Sequence, residues 1–179
     1  MFHHSTAFYD AIYQFKDYAK EATQLLGFIQ DFKRSLGKKL LDVACGTGTH
    51  IHFLQPHFDV TGLDINSEML AICRQKFPTL SFYEEDMVSF HLSQRFDVIL
   101  CLFSSIGYVQ TLENLHQTVQ NFANHLQPSG VLIVEPWFTP DTFLPGTLHS
   151  LYVNQPELRI SRMSISQVEG RLSVNVMHY

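Results

Sequence analysis

Basic residues are scarce on this chain. Its 179 residues include twelve Lys and Arg against seventeen Asp and Glu, a formal net charge of −5 with His neutral. The basic residues come at most in pairs, Lys33-Arg34 and Lys38-Lys39. No positive stripe is available to neutralise a run of phosphates, which disfavours DNA or RNA as a partner. Long apolar runs are missing too. The longest, Val98 to Phe103, is far short of a membrane span, so no membrane partner is expected. The opening Met1-Phe2-His3-His4-Ser5 lacks the basic and apolar regions of a secretion signal. Cys45, Cys73 and Cys101 have no CxxC spacing and no disulfide framework, which suits a reducing cytoplasm. Ten histidines are present, but no HExxH and no Cys/His set, and His50 and His52 point away from each other on a helix. No metal is expected.

What is present is an ordinary globular balance, 45% hydrophobic and 16% charged, at a length that fits one domain. Helices and strands alternate. Asp17 is placed to cap a helix with Tyr18, Ala22, Leu25, Ile29, Phe32 and Leu36 at threes and fours. Leu40 to Ala44 reads as a buried strand, followed by Cys45-Gly46-Thr47-Gly48 and a helix through about Gln55, stopped by Pro56. Val60 to Ile65 is a second strand, and Ser67 caps the next helix. Leu80 to Tyr83 and Phe96 to Phe103 are further strands. A helix with Leu112, Leu115, Val119, Phe122 and Leu126 on one face leads to Val131 to Glu135. Apolar strands alternating with helices predict a Rossmann-like, doubly wound, mostly parallel α/β sheet covered on both faces. Ligands of such sheets sit beyond the carboxyl ends of the strands.

The pattern changes after residue 135. Residues 136–157 carry four prolines and no helical period, and Leu158 to Ser166 and Arg171 to Tyr179 read as a small antiparallel pair. The expected organisation is a ligand-binding core over 1–135 and a substrate-side extension over 136–179, within one truncated domain. A chain stopping on a strand leaves backbone groups unpaired, and a homodimer through the C-terminal strands is the matching expectation.

Leu41-Asp42-Val43-Ala44-Cys45-Gly46-Thr47-Gly48-Thr49 lies between a strand and a helix. Glycines there admit close approach of a ligand, and a helix start offers bare amides. A dinucleotide fingerprint would need glycine where Ile51 stands, and Asp42 is ill suited to an anionic pyrophosphate. S-adenosylmethionine reverses that requirement, since it has no phosphate but carries an ammonium, a sulfonium and a carboxylate. Asp64, 22 positions beyond Asp42, ends the second strand, where a carboxylate can accept from two ribose hydroxyls. Asp86 and the Met87 amide follow the third strand and suit the adenine edge. Cys45 reads as a small buried filler, because no fixed base adjoins it.

Tyr9-Asp10, Lys16-Asp17-Tyr18, the glycine segment through His50, Phe103-Ser104-Ser105-Ile106-Gly107 and Val134-Glu135-Pro136-Trp137 resemble the class I S-adenosylmethionine-dependent methyltransferases. Within that class they resemble the nucleotide-amino-sugar N,N-dimethyltransferases of antibiotic deoxysugar pathways. The resemblance runs through Ile160-Ser161-Arg162. It implies that Tyr9 and Tyr18 contact the cofactor and that Ala44, Gly46, Gly48, Asp64, Ile65, Asp86, Met87 and Leu102 line its pocket with Asp42. It also implies Ser105, Tyr108, Trp137 and Arg162 on the side of a small-molecule substrate. This chain has Tyr108 where those enzymes have histidine and Phe138 where they have a second tryptophan. Their N-terminal extension is nearly absent, and they continue past Tyr179 into further strands. Tyr108, with Ser105 beside it, is expected to orient an amine. Two other readings stay open: methylation of another small nucleophile, such as a hydroxyl, and a catalytically silent S-adenosylmethionine-binding module.

Overall fold

The computed structural model describes residues 6–179. Met1 to Ser5, read above for want of a secretion signal, lie outside the described residues. Two compact units are present: Asp17–Trp137 in one, Ala7–Lys16 with Phe138–Tyr179 in the other. No described helix is long and apolar enough to cross a membrane.

The short helix α1 (Tyr9–Ile12) belongs to the unit that holds the C-terminal strands. The larger unit is built on five strands, β1 (Lys39–Val43), β2 (Asp59–Asp64), β3 (Ser81–Glu84), β4 (Phe96–Cys101) and β5 (Leu126–Val134). They lie in the order β3-β2-β1-β4-β5, and every neighbouring pair is parallel. Around them run α2 (Tyr18–Phe32), α3 (Thr49–Leu54), α4 (Ser67–Lys76) and α5 (Leu112–His125). The doubly wound sheet expected from the sequence is the one observed.

Strand side chains alternate between faces, and the core divides accordingly. Leu41, Val43, Ile99 and Cys101 join Phe122 of α5 in one buried cluster. Leu40, Val98 and Leu100 join Leu25 and Ile29 of α2 and Ile51 and Leu54 of α3 in the other. Ile51, which stands where a dinucleotide fingerprint needs glycine, is fully buried there.

Several local expectations shift by a residue or a turn. Asp17 caps α2, its Oδ1 accepting the Lys20 N–H at 3.0 Å. That helix ends sooner than its apolar spacing predicts. Lys33 turns extended, and the N–H groups of Arg34 and Ser35 both donate to the Ser129 carbonyl. Leu36 is left wholly exposed as a result. The cap of α4 is Asn66, whose Oδ1 accepts from Glu68 and Met69 N–H groups, and Ser67 is the first helical residue. On α5 the buried side runs through Thr118, Phe122 and His125, while Leu112 and Val119 face solvent. Polar residues can hold that face because each is bonded. The Thr118 hydroxyl donates to the Asn114 carbonyl at 2.7 Å. His125 Nε2 accepts the Leu92 N–H at 3.0 Å, which leaves Nδ1 to donate to the Asn121 carbonyl at 2.9 Å.

The second unit contains three antiparallel strands where two were expected: β6 (Leu148–Gln155), β7 (Leu158–Glu169) and β8 (Leu172–His178), in that order. β6 escapes a reading by alternation because only Val153 of its eight residues is buried. Its register against β7 defines it instead, Leu148 opposite Ile165 through Gln155 opposite Leu158. Gly170, at φ +62, turns the chain from β7 into β8.

Candidate active site

The chain leaves β1 toward β2 and β3 and returns on its other side with β4 and β5. That reversal opens a crevice beyond the carboxyl ends of β1 and β4. Backbone strain gathers at the same two ends. Ala44 follows β1 at φ 57, and Phe103 and Ser104 follow β4 at φ 53 and 56. A left-handed non-glycine residue costs about 1–2 kcal/mol, and such residues concentrate where a site over-determines the backbone.

The glycine loop is held by bonds the sequence did not disclose. Gly46 N–H donates to Asp64 Oδ2 at 2.8 Å, and Asn66 N–H donates to Asp64 Oδ1 at 2.9 Å. Asp64, at the end of β2, therefore braces the loop after β1. A carboxylate offers about four acceptor sites, so Asp64 keeps acceptor capacity beyond its backbone bonds. From α4, the Cys73 thiol donates to the Gly46 carbonyl at 3.1 Å and Lys76 Nζ to the Thr47 carbonyl at 3.1 Å. The two glycines differ in purpose. A Cβ at Gly48 would stand 2.9 Å from Phe77 Cε2 and 3.0 Å from Cys73 Sγ, so α4 packs on bare backbone there. At Gly46 a Cβ would meet nothing within 4 Å. Its outer side is open.

Asp42 lies one residue before the end of β1 and is almost fully buried. Burial pushes its carboxyl up to about 7, and the negative charge of Asp64 adds to the rise. Burial raises Asp64 as well, opposed by the N–H groups of Asn66, Gly46 and Ile65. Two buried carboxyls thus stand together at the strand ends, better suited to a cation than to a phosphate. Cys45 and Cys101 are poor nucleophiles here. The hydrogen bond with Cys73, followed by burial, holds Cys45 well above the ordinary range. Burial, with Asp42 and Glu135 nearby, puts Cys101 at about 12. Among the described residues no three His, Cys, Asp or Glu side chains gather as a metal site.

At the end of β4, Leu102 is buried in the α2/α3 cluster. Ser105 opens a 3-10 turn, Ser105–Val109, that carries Tyr108. Ser105 is buried and Tyr108 half exposed. Trp137 packs on Gly107, where an added Cβ would lie 3.3 Å from the Trp137 Cβ. Tyr18 lies edge-on to His50 with centroids 4.9 Å apart, and His50 Nε2 is 2.9 Å from Glu21 Oε2. That pairing of α2 with α3 gives His50 a structural partner.

Asp86 is placed differently from the other two acids. It is exposed, and its Oδ1 accepts the Val88 N–H at 2.9 Å, closing its own turn after β3. Met87 packs beneath on the α5 side of the sheet, and Ile65 presents an exposed apolar side chain beside Asp64. Tyr9 and Arg162 belong to the second unit, where both converge on Tyr13. Tyr9 packs against the Tyr13 ring at 4.6 Å, and the Arg162 guanidinium sits 5.4 Å above that ring. Sequence reasoning missed three contacts here, Asp64 with Gly46, Glu135 with Phe103 and Glu21 with His50. Each joins residues at least 18 positions apart, and no local pattern signals them.

A five-stranded parallel sheet of this order, with a strained glycine loop after β1 and acids at the following strand ends, defines a class I methyltransferase. A family model described as "Methyltransferase domain" matches residues 40–130, and the chain belongs to that family; its cofactor is S-adenosylmethionine. The dTDP-3-amino-3,4,6-trideoxy-alpha-D-glucopyranose N,N-dimethyltransferase of Streptomyces venezuelae is 37% identical over 96% of this chain and 73% of its own length. The dTDP-3-amino-3,6-dideoxy-alpha-D-glucopyranose N,N-dimethyltransferase of Streptomyces fradiae is also 37% identical, over 96% of this chain and 68% of its own. Among solved structures, Streptomyces venezuelae DesVI superposes with a TM-score of 0.87 at 33% identity, covering 96% of this chain and 81% of that one. The S-adenosylmethionine-bound amino pentose methyltransferase CalS10 from Micromonospora echinaspora gives 0.82 at 29% identity, over 96% and 78% of the two chains. The residues present fit the cofactor. Open space at Gly46 admits a ligand against the backbone, and the buried Asp42 and Asp64 supply negative charge for an ammonium and a sulfonium.

Proposed function

We propose that this methyltransferase acts on the amine of a nucleotide-linked amino sugar, adding one or two methyl groups. The methyltransferase part of the reading is carried by the braced loop, Asp64 holding the Gly46 amide beside a buried Asp42 at the point where the sheet order reverses, and the amino-sugar acceptor by the 37% identity to the two Streptomyces dimethyltransferases. In this reading Asp42, Ala44, Gly46 and Gly48 receive the amino-acid end of the cofactor. The remaining acceptor capacity of Asp64 serves the ribose, Ile65 and Leu102 flank the ring, and Asp86 and the Met87 amide take the adenine edge. Tyr18 closes the amino-acid end. The roles of Tyr9 toward the cofactor and Arg162 toward the substrate rest on the family resemblance alone.

S-adenosylmethionine, when bound, supplies a methyl group on a good leaving sulfur. Positioning is therefore the main task left to the protein, and well-oriented partners gain effective molarities of about 10⁵–10⁸ M. The attacking amine must be neutral, and water can take its proton before binding, so no strong protein base is required. Tyr108, with a reference pKa of about 10, is a hydrogen-bonding group rather than a base. It orients the amine with Ser105 beside it, and Trp137 packs the turn that carries both. The same reading places the protein in the cytoplasm, where its free thiols persist, and pairs two copies along the edge strands of the β6-β7-β8 sheet. Sedimentation analysis checks the pairing.

The test is calorimetry with S-adenosylmethionine, followed by mass spectrometry of dTDP-amino sugars for gains of one or two methyl groups. Cofactor binding with no methylated sugar would retire the sugar reading. If Tyr108→Phe left both turnover and substrate affinity untouched, its orienting role would be wrong.

A further inference from the structure

Two consecutive non-glycine residues in the left-handed region are uncommon, and Phe103-Ser104 form such a pair directly above the sheet. What holds them comes from the end of β5. Glu135 N–H donates to the Cys101 carbonyl at 2.9 Å, which extends the β4–β5 ladder by one rung. The Glu135 side chain then reaches across, and Phe103 N–H donates to its Oε2 at 2.7 Å. The Ser104 hydroxyl donates to the Pro136 carbonyl at 2.9 Å. Ser105 N–H closes the turn on the Leu102 carbonyl at 3.1 Å, and Gly107 N–H follows onto Ser104 at 3.0 Å. The short N–H to carboxylate bond is the charge-assisted member of the set.

We propose that Glu135 is a positioning residue for methyl transfer. Its carboxylate clamps the strained Phe103-Ser104 backbone and so sets where the Ser105–Val109 turn presents Ser105 and Tyr108. The inference rests on the assignment of those two residues to the acceptor side. Glu135 acts through the backbone amide of Phe103, not on the substrate, so an uncharged acceptor of the same shape can replace it. A group needed for its charge cannot be replaced that way.

The full chain is assayed with S-adenosylmethionine and dTDP-3-amino-3,4,6-trideoxy-glucose. Trp137, the one tryptophan in the sequence, packs on Gly107 of the turn and reports its position by fluorescence. Glu135→Ala is expected to lower kcat by about 10- to 100-fold, the equivalent of one hydrogen bond to a charged group. Its cofactor affinity should stay near that of the wild type while Trp137 emission moves to longer wavelength and becomes easier to quench. Glu135→Gln, whose amide oxygen can accept the same N–H, should recover most of kcat and the wild-type emission. Ser104→Ala should show a smaller change in the same direction. Glu135→Gln as slow as Glu135→Ala, or Glu135→Ala with wild-type kcat and emission, would overturn the proposal. Should the wild-type chain not methylate the probe, the acceptor reading fails separately. Emission then decides the clamp, and an unchanged spectrum in Glu135→Ala refutes it.

Discussion

Asp42 offers the sharpest test of how this site is built. Its carboxyl rises from an ordinary 3.8 to about 7 on folding, a little over three units. At 1.36 kcal/mol per unit the cost of carrying that charge inside the fold is about 4 kcal/mol at alkaline pH. Below about pH 4 both folded and unfolded chains hold the proton, and the cost vanishes. Between pH 4 and 7 the unfolded chain releases the proton while the folded chain keeps it, so stability falls as pH rises. Above pH 7 the penalty is constant. Asp42→Asn removes the titration, and the cost of burying the amide cancels when the variant is compared with itself at two pH values. Going from pH 5 to pH 8, the stability of Asp42→Asn relative to wild type should rise by roughly 2–3 kcal/mol. Urea unfolding of both proteins at each pH measures it. The cofactor's positive groups favour the charged carboxylate, so wild-type affinity for S-adenosylmethionine should tighten as pH rises through 7, with proton release, and Asp42→Asn should lose that dependence. If the relative stability stayed flat across the range, Asp42 would not be a buried acid held in want of a cation.

Other substitutions separate loop packing from ligand contact. Gly48→Ala combines a left-handed φ of 78° with contacts under or near 3.0 Å to Phe77 and Cys73, and should cost about 2–4 kcal/mol in thermal unfolding. Gly46→Ala meets no protein atom, so it should lose only about 1–2 kcal/mol of stability from its left-handed backbone yet weaken cofactor binding in calorimetry more than tenfold. Asp64→Asn sets an amide donor against one of two backbone donors, Gly46 or Asn66. It should cost about 1–3 kcal/mol in urea unfolding together with cofactor affinity. His125→Phe strands the buried Leu92 amide, a group with no assigned ligand contact, and should lower stability by about 2–3 kcal/mol in urea unfolding.

The amino-acid order alone sufficed for whatever is decided within a few neighbouring positions. Apolar runs broken by Gly and Pro marked β1, β2, β4 and β5, Asp17 announced the start of α2, and the loop from Ala44 to Gly48 declared itself by its glycines. The bonds that turn those segments into a site were hidden, because they join residues 18 to 32 positions apart through backbone amides that every sequence possesses. Local spacing placed Leu112 and Val119 on the inner face of α5, but packing chose Thr118 and His125, whose polar atoms find acceptors and donors only once neighbouring segments arrive. β6 exists for the same reason: little in Leu148 to Gln155 alternates, and the strand forms because β7 lies alongside to pair with it. The glycines and acids were legible one by one. Which carboxylate braces the loop, and which waits buried for a cation, was settled only when the ends of β1, β2, β4 and β5 came together.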